Sequence, residues 1–177
     1  IIDGKDYVDG EFSPELVVDA LTHKKTITTS QPTPEQFMES YKKQLENYEE
    51  VICMTISKSL SGTFNSANLA QTILEDKNVY VVDSESNING AMYLAEMLIA
   101  YLDKGHTAQE GLSYLDSIKS LGSLVFTVDN LQSLVRSGRI SKVKAMIGNV
   151  LKIKPILRFK QGVLDLEHKV RSFENVV

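Results

Sequence analysis

The run Val51-Ile52-Cys53-Met54-Thr55-Ile56 constrains this chain more than any other stretch, because it is of strand length and apolar except for Thr55. A strand that shows no alternation has both sheet faces covered, as in a parallel sheet sandwiched between helices. Its sequel supports that reading. Ser57-Lys58-Ser59-Leu60-Ser61-Gly62-Thr63 is a hydroxyl-rich turn, and Phe64, Ala67, Leu69, Ala70, Ile73 and Leu74 then recur at helical spacing. The pattern repeats in Val79-Tyr80-Val81-Val82, the turn Asp83-Ser84-Glu85-Ser86-Asn87 and a helix ending near Lys104-Gly105. Strands alternating with helices make an α/β fold with a mostly parallel sheet and helices on both faces.

Helix starts are well marked on either side of this centre. Ser13-Pro14-Glu15 supplies an N-cap and a first-turn proline for a helix to about His23. Thr33-Pro34-Glu35-Gln36 and Thr107-Ala108-Gln109-Glu110 are capping boxes, the first leading to Phe37, Tyr41 and Leu45, the second opening a helix to about Leu121. The segment Ala91–Leu102 carries Glu96 as its one charge and is expected as a buried helix; it falls short of the ~18 apolar residues of a membrane span. Leu124 to Val128 is a third strand, and Asn130 caps a short helix closed by Gly138. Ile147 to Phe159 is mostly apolar, and Gln161-Gly162 reads as a hairpin turn into the alternating Val163-Leu164-Asp165-Leu166-Glu167. Antiparallel strands are therefore expected toward the C-terminal end.

Composition excludes several classes. With 177 residues the chain can bury a sizeable core, and Cys53 as the one cysteine rules out an intramolecular disulfide and any Cys-x-x-Cys site. A reducing cytoplasm is the expected compartment. The net charge is −4, yet residues 136–171 hold ten Lys/Arg against Asp165 and Glu167, a local +8. That is an anion-facing surface on an acidic protein, not the broad basic field of a nucleic-acid binder. Dinucleotide, P-loop, nucleophile-elbow and His-Glu-x-x-His motifs are all missing. His23, His106 and His168 lie far apart with no metal-ligand neighbour at helical spacing, so no metal site is expected.

The positive signal is Ser61-Gly62-Thr63 at a strand-to-helix junction. A helix N-terminus offers unpaired N–H groups and about half a positive charge, glycine permits close approach, and the hydroxyls donate. In an open α/β sheet ligands sit beyond the C-terminal strand ends, where this loop falls. Ser61 as a plain helix cap is the competing reading. A second hydroxyl loop, Thr28-Thr29-Ser30, lies between apolar elements. Arg136, Arg139 and Arg171 are either solvated charges or guanidinium groups near an anion. The segments Ala91–Leu102 and Ile147–Leu157 either line a cavity for an apolar tail or fill the core. Cys53, inside the central strand, reads as an inert core residue.

Four stretches together resemble the bacterial DegV family, whose members bind a long-chain fatty acid. They are Thr29-Ser30-Gln31-Pro32; Ser57 through Ser61-Gly62-Thr63 with Ser66-Ala67; Val82-Asp83-Ser84; and Arg136-Ser137-Gly138-Arg139-Ile140 with Ile153-Lys154-Pro155-Ile156-Leu157 and Lys169-Val170-Arg171. The resemblance implies a two-domain fold, incomplete here: residues 1–86 as an N-terminal α/β domain with the headgroup loops, and residues 87–177 as part of a second domain with helices along the acyl chain. It implies that Thr29, Ser30, Ser61 and Gly62 hold the fatty-acid carboxylate, and that Arg139 and Arg171 neutralise a phosphate or dock a partner. That partner is the ATP-dependent subunit of a fatty acid kinase, to which a non-catalytic carrier presents its ligand for phospholipid metabolism. No cofactor beyond the bound fatty acid is implied, nor a nucleic acid or an integral membrane segment. Ser137 stands where the family usually has Gly. The family's opening strand with its Asp-Ser turn, and its C-terminal segment with the headgroup-binding His, are expected to lie outside this chain.

Burying some fourteen methylenes at ~0.8 kcal/mol each is worth up to ~11 kcal/mol before ordering costs, so the tail supplies affinity and the headgroup orientation. The rival is an enzyme acting on a small anionic or phosphorylated substrate at the Ser61 loop, with Arg139 as electrophile.

Overall fold

The computed structural model describes residues 1–8, 10–128, 138–139 and 154–171. The chain divides into two compact units, Ile1–Gln31 and Pro32–Val177. In the first, helix α1 (Pro14–Thr22) starts where the sequence places it, with the Ser13 side chain accepting from the Glu15 N–H and Pro14 in the first turn. Ile2 bridges Ile27, and the Thr28 N–H donates to the Ile1 carbonyl at 3.0 Å.

In the second unit the order is α2 (Pro34–Leu45), β1 (Val51–Thr55), α3 (Thr63–Leu74), β2 (Val79–Asp83), α4 (Ile88–Leu102), α5 (Ala108–Ile118), β3 (Leu124–Thr127), β4 (Lys154–Lys160) and β5 (Val163–Val170). Strands β1 and β2 pair in parallel, Val51 opposite Val79 through Thr55 opposite Asp83. Their lack of alternation has the expected cause. Val51 and Cys53 pack with Phe37, Met38, Tyr41 and Leu45 of α2 and Ala70 and Leu74 of α3, while Ile52, Met54 and Val82 pack with Leu94 and Leu98 of α4 and Leu115 and Ile118 of α5. Both faces are covered, so both residue parities must be apolar. Burial pushes the Cys53 thiol pKa upward, as fits an inert core cysteine. Burial likewise raises Tyr41, whose hydroxyl donates to the Ala67 carbonyl at 3.2 Å and joins α2 to α3.

Both capping boxes form, Thr33 with Gln36 and Thr107 with Glu110. The three-stranded antiparallel sheet has the order β3-β4-β5, with β4 and β5 joined by the turn Gln161-Gly162, whose φ values are +50° and +74°. Positive φ at both central residues matches the twist of a two-residue hairpin, and glycine accepts it without strain. The fold class is thus the expected one, with β3 joining the antiparallel set.

One expectation needs correction. The segment Ala91–Leu102 is not a buried helix: in α4 only Leu94 and Leu98 are buried, while Met92, Tyr93 and Ile99 are 56%, 59% and 58% exposed. Leu94, Leu98 and Leu102 form a single stripe at spacing four, packed with Leu115 and Ile118 of α5. A helix apolar all round reads as buried all round; here one stripe is covered. The expected Asn130 cap, Arg136, Ile140 and most of Ile147–Leu157 lie outside the described residues.

Candidate functional site

The C-terminal ends of β1 and β2 carry two serine-rich loops, the second of them also acidic, and hydrogen bonds tie them together. The Ser57 N–H donates to the Ser86 carbonyl at 2.8 Å, and the Ser84 N–H to the Thr55 carbonyl at 3.1 Å. One carboxylate oxygen of Asp83, at the end of β2, accepts from Lys58 N at 3.3 Å and Glu85 N at 2.9 Å, one N–H from each loop. The other oxygen is buried without a hydrogen-bond partner among the described residues, with Lys58 Nζ 3.7 Å away. Ser57 and Ser84 are almost wholly buried, at 0% and 1% exposed. Buried hydroxyls need partners, and these have them: Ser84 Oγ donates to the Ser86 carbonyl and accepts from Ser86 N, and Ser57 Oγ lies 3.0 Å from Ser59 Oγ.

On this footing stands the Ser61 turn. The N–H groups of Leu60 and Ser61 both donate to the Ser57 carbonyl, at 3.0 and 3.3 Å. Ser61 Oγ accepts the Thr63 N–H at 3.3 Å and lies 2.8 Å from Thr63 Oγ1. Gly62 occupies the N-cap of α3 and, having no side chain, makes no cap bond. The plain-cap reading of Ser61 therefore shifts by one residue: Ser61 precedes the cap position and carries its hydroxyl at the helix entrance, half-buried beside Gly62. Hydroxyls and a helix N-terminus here make a donor-rich patch suited to an anion.

Arg139 reaches the same turn, its Nε donating to the Leu60 carbonyl at 3.2 Å from an exposed position. That puts a guanidinium on the peptide next to Ser61. Arg171 is exposed just after β5. Thr29 and Ser30 belong to the first unit, where both are exposed in non-helical backbone after the Ile2–Ile27 bridge. The structure thus brings Ser61, Gly62 and Arg139 together in one unit and describes Thr29 and Ser30 in the other.

Beside these loops the second unit holds a cavity of about 580 Å³. Glu85 and Ser86 form its polar edge; Gly90, Leu94 and Met97 of α4, Ile118 and Leu121 beyond it, and Phe159 of β4 supply apolar walls. Lys119 at its rim reaches Glu85 at 3.3 Å and Asp116 at 2.8 Å. Burial works to lower the Lys119 pKa, but these two carboxylates more than offset it and hold the ammonium above its usual value. The volume is that of a small-molecule site. Ser61 itself does not line it. The link is the adjacent loop, whose Ser86 accepts from Ser57. Sequence reasoning left Ala91–Leu102 open between cavity wall and core, of which Leu94 and Met97 line the cavity, and missed Lys119 and Phe159, which come from distant segments with no local signature.

Among the described residues no three His, Cys, Asp or Glu side chains gather as a metal site would require, and no helix is long and apolar enough to cross a membrane.

A mixed α/β architecture with a hydroxyl loop at the parallel strand ends hosts many functions and fixes no chemistry by itself. Comparison with known proteins is more specific. The family model described as uncharacterised protein, DegV family, matches residues 1–177, and the chain belongs to that family. A DegV domain-containing protein of Staphylococcus aureus is 34% identical over 172 residues, covering 97% of this chain and 61% of the relative. The solved structure of a DegV family protein from Thermus thermophilus, described by its fatty acid binding, aligns with a TM-score of 0.89 at 30% identity, over 98% of this chain and 62% of that one. A stearic acid-binding protein from Eubacterium ventriosum aligns with a TM-score of 0.87 at 26% identity, over 98% and 62%. The chain thus spans about three fifths of the length of the relatives it matches.

Proposed function

We propose that this chain belongs to a fatty-acid carrier in which Ser61 and the Gly62 N–H hold the carboxylate of a long-chain fatty acid, with Thr29 and Ser30 as the further carboxylate contacts that the family resemblance implies. The observation that carries this reading is the Ser57–Thr63 turn, built on buried serines and Asp83, with an apolar cavity behind the adjacent loop. Neutral hydroxyls and a backbone N–H bind a carboxylate without competing for its charge, and Arg139 at the Leu60 carbonyl adds a cation that an acyl phosphate would need still more. The ligands named for the Thermus and Eubacterium proteins support the substrate class.

In this reading the protein performs no bond-breaking step. It withdraws the tail from water and presents the carboxyl group to an ATP-dependent kinase subunit in the cytoplasm, with Arg139 and Arg171 as contacts to the phosphate or to that subunit. The division into a headgroup domain (1–86) and an acyl-lining domain (87–177) belongs to the same proposal.

Mass spectrometry of a solvent extract, from both this chain and the full-length protein, tests it. A stoichiometric C14–C18 fatty acid is expected in the full-length protein. No lipid in either, even after loading with oleate and palmitate, would overturn the carrier reading and favour an enzyme acting on a small anion.

A further inference from the structure

Hairpin tips are normally solvated, because the two central residues of the turn have backbone groups the ladder does not use. The β4–β5 tip is different. Gly162 is buried, and both its backbone polar groups are engaged by distant loops: its N–H donates to the Glu85 carbonyl at 3.0 Å, and its carbonyl accepts the Ser59 hydroxyl. With the Ser59 proton committed to Gly162, the 3.0 Å contact between the hydroxyls runs from Ser57 to Ser59, so a chain of donors leads from the buried Ser57 to the hairpin. Space is as tight as the bonding. A Cβ at Gly162 would meet Ser57 Oγ at 3.3 Å and Glu85 Cβ at 3.7 Å, and φ of +74° strains any other residue. The three preceding residues, Phe159, Lys160 and Gln161, line the cavity.

One turn therefore forms part of the cavity wall and clasps both loops that follow the parallel strands. We infer that Gly162 and Ser59 are positioning residues, which hold the Ser57–Ser61 turn in its anion-binding conformation and couple it to the cavity wall. The inference rests on the carrier reading. Neither residue contacts the carboxylate; each acts through Ser57, whose carbonyl receives the Ser61 N–H.

The test separates headgroup from tail. Affinities of the full-length protein for palmitate and for its methyl ester, which keeps the tail and lacks the charge, are measured by titration for wild type and for Ser59→Ala, Ser59→Thr, Gly162→Ala and Ser61→Ala. Wild type is expected to prefer palmitate. Ser59→Ala and Gly162→Ala should lower that preference about tenfold while methyl ester binding stays within twofold, and Ser59→Thr, which restores the hydroxyl, should recover it. Ser59 is exposed, so its alanine variant folds even if Gly162→Ala does not. If Ser61→Ala loses the preference and both Ser59→Ala and Gly162→Ala keep it, the positioning role is wrong and the carrier reading stands. A wild type with no preference removes the headgroup reading and the inference with it.

Discussion

Two hydroxyl loops of similar composition meet different fates in this molecule. Thr28-Thr29-Ser30 is exposed and follows an isolated bridge, whereas Ser57–Thr63 rises from the end of a strand covered on both faces and is tied to a neighbouring loop, an aspartate and a hairpin. Ser, Thr and Gly say only that a loop can donate hydrogen bonds. What fixes the direction of those donors is the parallel strand pair beneath them, which sets two loops side by side and lets Asp83 accept from both. Preorganisation is a property of the support, and it lowers the ordering cost when an anion binds.

The contrast is most severely tested at Asp83. Asp83→Ala removes the acceptor for two backbone N–H groups and should destabilise the chain by about 3 kcal/mol, a fall of roughly 6–12 °C in melting temperature by calorimetry. Ser57→Ala, which breaks the hydroxyl chain at its buried end, should cost about 1–2 kcal/mol in the same assay. By comparison, Thr29→Ala and Ser30→Ala should change stability by less than about 0.5 kcal/mol, because exposed side chains leave no buried partner behind. Their effect belongs to ligand affinity, about fivefold for Thr29→Ala by titration with palmitate. Equal losses of stability from both loops would erase the distinction.

A smaller effect sharpens it away from the site. In the α5 capping box the Thr107 backbone N–H, and then its hydroxyl, hold the Glu110 carboxyl below its ordinary pKa. A lowered pKa stabilises the fold fully above the ordinary glutamate value, and that contribution is lost as pH falls through the lower folded value. Glu110→Gln keeps an acceptor but not the titration, so its melting temperature should decline less than wild type between neutral pH and pH 3.

The helices announce themselves in the sequence because their signals are local: Ser13, Thr33 and Thr107 each cap within three residues, and the unalternating Val51–Ile56 shows two covered faces in one glance. The hairpin turn is equally plain. What it touches is not, since Ser59 and Gly162 stand 103 residues apart and nothing in a Gln-Gly turn marks it as buried. The same limit explains α4, whose apolar run tells how much could be covered and not how much is. Ser61 is legible as a candidate anion donor; that Gly62 takes the cap position and Arg139 the Leu60 carbonyl is decided by the folded turn and by a residue 79 positions away, with no local signal.

The most direct measurement is carbon-13 NMR of palmitate labelled at the carboxyl carbon, bound to wild type, Ser61→Ala and, as a control at an exposed position of α5, Ser113→Ala. A single bound carboxyl resonance is expected, displaced from free palmitate in wild type and Ser113→Ala and shifted or lost in Ser61→Ala. An identical resonance in all three would place the headgroup somewhere other than the Ser61 turn.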